Sequence, residues 1–306
     1  MDSEQRQRVV KIKTVDQVAL EAWFWEVQGP APAVVMSHGF NCVKEMSLSE
    51  TAEAFHSAGF NVLLYDARSV GGSEGLPRNQ IDPAKMVEDI SDVVSFAATL
   101  PSVHPRRILL WGMSFGATLS GVAASVDRRV AAVLMLCPLF SFIRADKRAT
   151  VFAQLMKDRK SQLRGNEPFT IRPFDSKGEN PAGFAGAGGP GGKESYAIMK
   201  LAVERGHPNF RDLITFQTYY KLALFRPREL LEEMLEGMPI MMIIPELDNI
   251  SPPAEQRAVF ESLKTPKRLH YAVGKSHMSI LDGEGSAALR VTMVDFFMSA
   301  LDGQID

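Results

Sequence analysis

The sequence is short of cysteine, of long apolar runs and of excess charge, and each shortage excludes something. Two cysteines in 306 residues, Cys42 and Cys137, cannot build a disulfide scaffold, so a reducing, cytoplasmic setting is expected. No apolar run nears the ~18 residues of a membrane span. The first ten residues, MDSEQRQRVV, are polar and lack the apolar core of a signal peptide. Lysine and arginine number 34 against 36 aspartate and glutamate, a net charge of −2 with no block of one sign. That leaves no electrostatic case for nucleic acid or an anionic membrane surface as a partner. No His/Cys/Asp group has metal-ligand spacing, and no glycine-rich stretch fits the G-x-G-x-x-G or Walker A pattern. Neither a metal nor an organic cofactor is expected. There is no internal repeat, and nothing in the pattern sets the oligomeric state.

What is present is an apolar fraction of 45 %, enough for a large core, and strand and helix in strict turn. Residues 9–13 and 19–27 read as an opening hairpin. Buried strands are expected at 33–36, 60–65, 108–111 and 130–136, and helices at 49–58, 83–100 and 115–126. In the second helix Met86, Ile90, Val93, Val94 and Ala97 follow helical spacing, with Asp82 as cap and Pro83 as first residue. The rhythm breaks after Pro138. It resumes with a strand at 240–244, a helix from about 253, a strand at 268–273 and a helix at 287–301. This alternation predicts an α/β fold, a mostly parallel twisted sheet flanked by helices. The interruption mixes helical segments with a loop. Its stretch AGFAGAGGPGG, residues 182–192, is expected to be a flexible surface loop, or else a hinge or flap over a site.

At residues 112–116 the chain reads Gly-Met-Ser-Phe-Gly between an expected strand and an expected helix. A nucleophile lifted on a sharp strand-to-helix turn needs small neighbours, which makes Ser114 the candidate. A hydroxyl needs a base. Of six histidines, His56 falls in a helix, His104 in a Pro-flanked loop, His207 in the interruption and His270 in a strand. His38 precedes a glycine after a strand and is read as bracing its loop. His277 follows the last strand, at the carboxyl edge of the sheet where Ser114 also sits, and is the expected base. Asp248, three residues past Pro245 at the same edge, is the expected acid, with Glu246 as competitor. Donors for an oxyanion are expected from the backbone N–H of Phe115, after the nucleophile, and of Phe40, in the Ser-His-Gly-Phe-Asn loop, with Asn41 second.

Together the His-Gly loop, DARSVGGSEG at 66–75, the 112–116 elbow, Asp248 and His277 resemble the α/β-hydrolase superfamily. The 66–75 stretch is similar to its D-x-R-G-x-G-x-S-x-G loop, read as scaffold, with Ser69 where the family usually has glycine. The resemblance covers residues 10–137 and 239–301. It implies a core of 1–138 and 239–306 with 139–238 as a helical lid. SHGFNCVKE with DARSVGGSEG further resembles fungal polyketide transferases and dienelactone-hydrolase-like proteins. That resemblance implies a polyketide acyl ester or thioester substrate, delivered as a thioester by the carrier domain of a synthase.

The residues thus point to a serine hydrolase or acyltransferase working through an acyl-Ser114. The same constellation would serve C–C bond hydrolysis of a diketone, and the fold could also carry a non-catalytic receptor or scaffold. Cys42 could be a nucleophile but is not at the elbow, and is read as a wall cysteine. Cys137 is read as packing, and Lys44 and Glu45 as a solvated face. The 15 methionines, several in the interruption and in IMM at 240–242, could give an adaptable pocket or fill the core.

Overall fold

The computed structural model describes residues 7–207, 209–234 and 236–305; the polar stretch at 1–6 lies outside them. The hairpin forms as β1 (Arg8–Lys13) and β2 (Ala19–Trp25), paired antiparallel. Then come β3 (Ala31–Ser37), α1 (Ser49–Ser57), β4 (Asn61–Tyr65) and α2 (Pro83–Thr99). β5 (Val103–Met113), α3 (Phe115–Val126) and β6 (Val130–Leu136) complete the first half. The interruption carries α4 (Arg148–Gln162), β7 (Thr170–Ile171), α5 (Pro190–Glu204), β8 (Ile214–Thr215), α6 (Thr218–Leu224) and α7 (Pro227–Met234). β9 (Ile240–Pro245), α8 (Pro253–Ser262), β10 (Lys267–Ala272) and α9 (Ser286–Leu301) close the chain.

Eight strands form one sheet in the order β1-β2-β4-β3-β5-β6-β9-β10. The six from β4 to β10 in that order pair in parallel, and β2 runs antiparallel to both its neighbours, β1 and β4. Helices cover both faces, so central strands read as unbroken apolar runs: every residue of β4 and of β9 is buried. The period of two still decides which face each side chain joins. Ala33, Val35, Ile108, Leu110, Ile240 and Met242 pack with α2, α3 and α8. Val34, Met36, Leu109, Trp111, Met241 and Ile243 pack with Phe55 of α1 and with Met293, Phe296 and Phe297 of α9. Among the described residues, no helix is long and apolar enough to cross a membrane.

Three expectations need correction. His104 is not in a loop: β5 begins at Val103, and a register shift opposite Ala31 and Ala33 carries the strand past Pro105. Pro83 does open α2, but the Asp82 side chain caps nothing. Its carboxylate pairs instead with Lys221 on α6, at 2.8 Å. Residues 182–192 are not a loose surface loop. Asn180 Oδ1 accepts the N–H groups of Ala182 and Phe184, both of which are buried. Gly191 and Gly192 already belong to α5. A Cβ on Gly191 would lie 2.6 Å from the Asn249 carbonyl oxygen, and one on Gly192 2.2 Å from that of Gly178. These glycines serve close backbone approach rather than freedom.

The α9 face gives a direct test. Phe297 is fully buried and touches Phe55 and Phe296 with ring centroids 5.4 and 5.5 Å away. Phe297→Ala is expected to lower unfolding stability by about 3–5 kcal/mol, the usual cost of emptying a phenylalanine site. The readout is a lower urea midpoint at unchanged slope.

Candidate active site

The carboxyl ends of the parallel strands collect the chemistry-bearing side chains. β5 runs directly into Ser114, whose backbone sits at φ 58°, ψ −121°. A left-handed φ is costly for a residue with a Cβ, and the surroundings must enforce it. They do so by contact. A Cβ on Gly112 would lie 2.3 Å from the Gly116 carbonyl oxygen, and one on Gly116 2.4 Å from those of Ser37 and His38. The Ser114 N–H is tied to the Leu136 carbonyl at 2.8 Å. The turn is wedged between β6 and the loop after β3.

Ser114 Oγ lies 2.8 Å from His277 Nε2, and His277 Nδ1 lies 2.9 Å from Asp248 Oδ2. All three side chains are buried. The second Asp248 oxygen accepts the N–H groups of Ile250 and Ser251, each at 2.8 Å, which bends the loop after β9 around its own carboxylate. Glu246 is exposed and accepts the Gly274 N–H instead, bracing the loop that leads to His277.

His38 Nε2 accepts the Ala67 N–H at 3.1 Å, which makes Nδ1 the protonated nitrogen donating to Gly39 at 2.9 Å. Burial lowers its pKa, and the imidazole is a neutral strut between two loops. No hydrogen bond among the described residues uses the N–H of Phe40 or Phe115. Their rings meet edge to face at 5.7 Å. Asn41 stands at φ 51° and donates its amide to the Arg211 carbonyl, tying this loop to the interruption.

A cavity of about 440 Å³ opens on Ser114 and His277. That is a size for one small molecule. Its wall is mainly apolar, with Phe40, Met113, Phe174, Phe184, Met199 and Met278. Phe184, from the glycine-rich stretch, lies against Phe40 with centroids 4.3 Å apart. Met241 and Met242 are core residues of β9; the methionines of the wall are Met46, Met113, Met199 and Met278. Cys42 also lines the cavity, where burial pushes its thiol up to about 12, a poor nucleophile. Cys137 follows β6 with its sulfur 3.9 Å from His277 Nε2, and burial raises its pKa too.

Lys44 is not solvated. Its side chain is 1 % exposed, and its ammonium touches Glu21 at 2.8 Å, Glu45 at 2.9 Å and Asp66 at 2.7 Å. Burial pulls its pKa down; the three carboxylates more than offset that and hold its pKa above the ordinary lysine value. Asp66 also accepts the N–H groups of Lys44 and Gly72. Ser73 Oγ donates to the Asp66 carbonyl and accepts the Glu21 N–H. Ser69 stands at φ 65°, the left-handed geometry that suits the family's usual glycine. The 66–75 stretch is thus a clamp on the loop that carries Phe40.

Pattern reading missed two residues here, Lys44 and Gln256. Asp66 ends a buried strand and needs a counter-charge, which was the available signal for Lys44. Gln256 is a polar residue on the buried face of α8, at i, i+3 and i+4 with Val259 and Phe260. Its Nε2 donates to Asp248 Oδ2 at 3.0 Å.

A model of the family described as Serine aminopeptidase, S33 (Hydrolase_4) matches residues 28–284, and the chain belongs to this family of α/β-hydrolases. Among named relatives, it is 42 % identical over 275 residues to a thiohydrolase of Eupenicillium brefeldianum, covering 90 % of this chain and 88 % of that one. It is 36 % identical to the polyketide transferase af380 of Aspergillus fumigatus, covering 96 % and 98 %. Among solved structures, DcsB in complex with its substrate analogue superposes with a TM-score of 0.93 at 50 % identity, covering 97 % of this chain and 99 % of that one. The α/β hydrolase GrgF of a Penicillium species gives 0.84 at 32 %, with the same coverage.

Lys44→Met leaves Asp66 buried without its cation. It is expected to lower unfolding stability by about 3–5 kcal/mol, the range for breaking one side of a buried ion pair. Chemical denaturation followed by circular dichroism reads the loss.

Proposed function

We propose that the protein is a serine hydrolase or acyltransferase acting on an apolar ester or thioester, with a polyketide acyl chain as the favoured substrate. The observation that carries this reading is the unbroken hydrogen-bonded series Ser114, His277, Asp248 in the wall of an apolar cavity. Ser114 Oγ attacks the acyl carbon while its proton passes to His277 Nε2. Asp248 fixes the tautomer with Nδ1 protonated and stabilises the imidazolium. The N–H groups of Phe40 and Phe115 receive the oxyanion. The intermediate collapses by expelling a thiolate or alkoxide, which takes the proton from His277. Water or an alcohol then attacks the acyl-Ser114, with His277 again the base, and Ser114 regains its proton.

The substrate class is supported by relatives named thiohydrolase and polyketide transferase. Residues 139–238 act as the lid: Phe174, Phe184, Met199 and Ala202 from this segment line the cavity. Delivery of the acyl group as a thioester by the carrier domain of a synthase belongs to the same proposal.

A fluorophosphonate probe is expected to add once to the wild type and not to Ser114→Ala, by intact mass. A wild type that stays unlabelled would remove the nucleophile. Asp248→Asn is expected to keep the fold and lose about 10⁴-fold in kcat, because the imidazole takes the wrong tautomer. Glu246→Gln stays active; the reverse pattern would reassign the acid. Offered an acyl thioester with and without alcohols, a transferase gives esters, and free acid alone with every alcohol assigns hydrolysis.

A further inference from the structure

The Asp248 carboxylate is held by more than its own loop. Oδ1 is fixed by two backbone N–H groups, those of Ile250 and Ser251. Oδ2 is shared by His277 Nδ1 at 2.9 Å and Gln256 Nε2 at 3.0 Å. The same amide nitrogen donates to the Ser251 carbonyl at 2.7 Å. Ser251 Oγ in turn donates to the Pro138 carbonyl at 2.6 Å, beyond the end of β6. One side chain therefore spans the acid and the loop that presents it, and the loop is pinned to the neighbouring strand end.

Holding the amide this way has a cost. Both protons of Nε2 are committed, which turns Oε1 away. That oxygen is buried and takes no hydrogen bond from any described residue. An unsatisfied buried acceptor works against folding. Gln256 is fully buried on a face it shares with Val259 and Phe260, where an apolar side chain of the same length would pack without that penalty. A buried amide left half-satisfied while both its N–H groups go to the acid and its loop calls for a reason beyond packing.

We infer that Gln256 is a positioning residue: its amide fixes Asp248 Oδ2 in the imidazole plane, so that His277 presents Nε2 to Ser114 in the reactive orientation. The inference rests on the reading of Ser114, His277 and Asp248 given above. Without the amide, Oδ2 keeps one donor instead of two, and rotation of the carboxylate about its Cβ–Cγ bond is resisted by the two N–H bonds to Oδ1 and the imidazole alone. The base then wanders from the hydroxyl it must deprotonate. Substrate binding is untouched, since Gln256 is not part of the cavity wall.

The test compares wild type, Gln256→Met, which keeps length and loses both donors, and Gln256→Asn, which keeps the amide and loses reach. Each is measured for kcat and KM on an acyl thioester and for the rate of fluorophosphonate labelling. Both variants are expected to lose at least about tenfold in kcat and in labelling rate at unchanged KM, the scale for a misaligned catalytic group. The downfield proton resonance of the His277 Nδ1–H is expected to move in both. Either variant folded with wild-type kcat overturns the inference. So does a loss of kcat that comes with a changed KM and an unmoved proton resonance, which is the mark of general loosening. A wild type that takes no probe removes the reading of the site and this inference with it. A labelled wild type beside an unimpaired Gln256→Met removes this inference alone.

Discussion

The site depends on one backbone contact, the wedge of the Ser114 turn against the loop after β3. Gly116 leaves so little room beside the Ser37 and His38 carbonyls that any side chain there would collide. The contact sets the φ of Ser114 and the place of Phe40 at once. A hydroxyl raised on a strained turn and a peptide N–H on the next loop are thereby placed as a pair. Neither could drift alone, because the sheet fixes β3 beside β5 in parallel register from Ala33 to Ser37.

Around that wedge the loops are held by buried and part-buried polar contacts. His38 ties its loop to Ala67, Lys44 ties it to Asp66, and Asn41 ties it to Arg211. Buried charges and neutral imidazoles of this kind add little net stability, because their desolvation opposes their attraction. They do exclude alternatives. Each loop position that satisfied fewer of these groups would leave an ion or an N–H orphaned in the core, so one arrangement is selected over its near neighbours.

Much of this was legible in the sequence, and the reason differs by element. The strands were readable because a parallel sheet buries both faces, which compresses them into apolar runs such as IMMII. Ser114, Asp248 and His277 stood out because each follows a strand at the carboxyl edge of the sheet, and the structure puts their polar atoms 2.8 and 2.9 Å apart in series. Lys44 and Gln256 were opaque for the opposite reason. Their burial comes from residues far off in the chain, and a local pattern assigns a charged or amide side chain to solvent. The glycine-rich stretch misled in the same way. Composition read it as freedom, whereas Gly191 and Gly192 are small because other backbone passes within contact distance. Asp82 shows the limit for capping: its position was right, and a lysine from α6 captured the side chain.

The stacking of Phe184 on Phe40 links two properties that a designer would prefer to vary separately. Phe184 bounds the cavity, while the peptide of Phe40 belongs to the loop wedged against Ser114. Trimming the first ring to admit a bulkier guest would also unbrace the second. The cavity wall is more readily retuned at Met199, an unbranched side chain from α5 that can repack around a new guest without touching that pair.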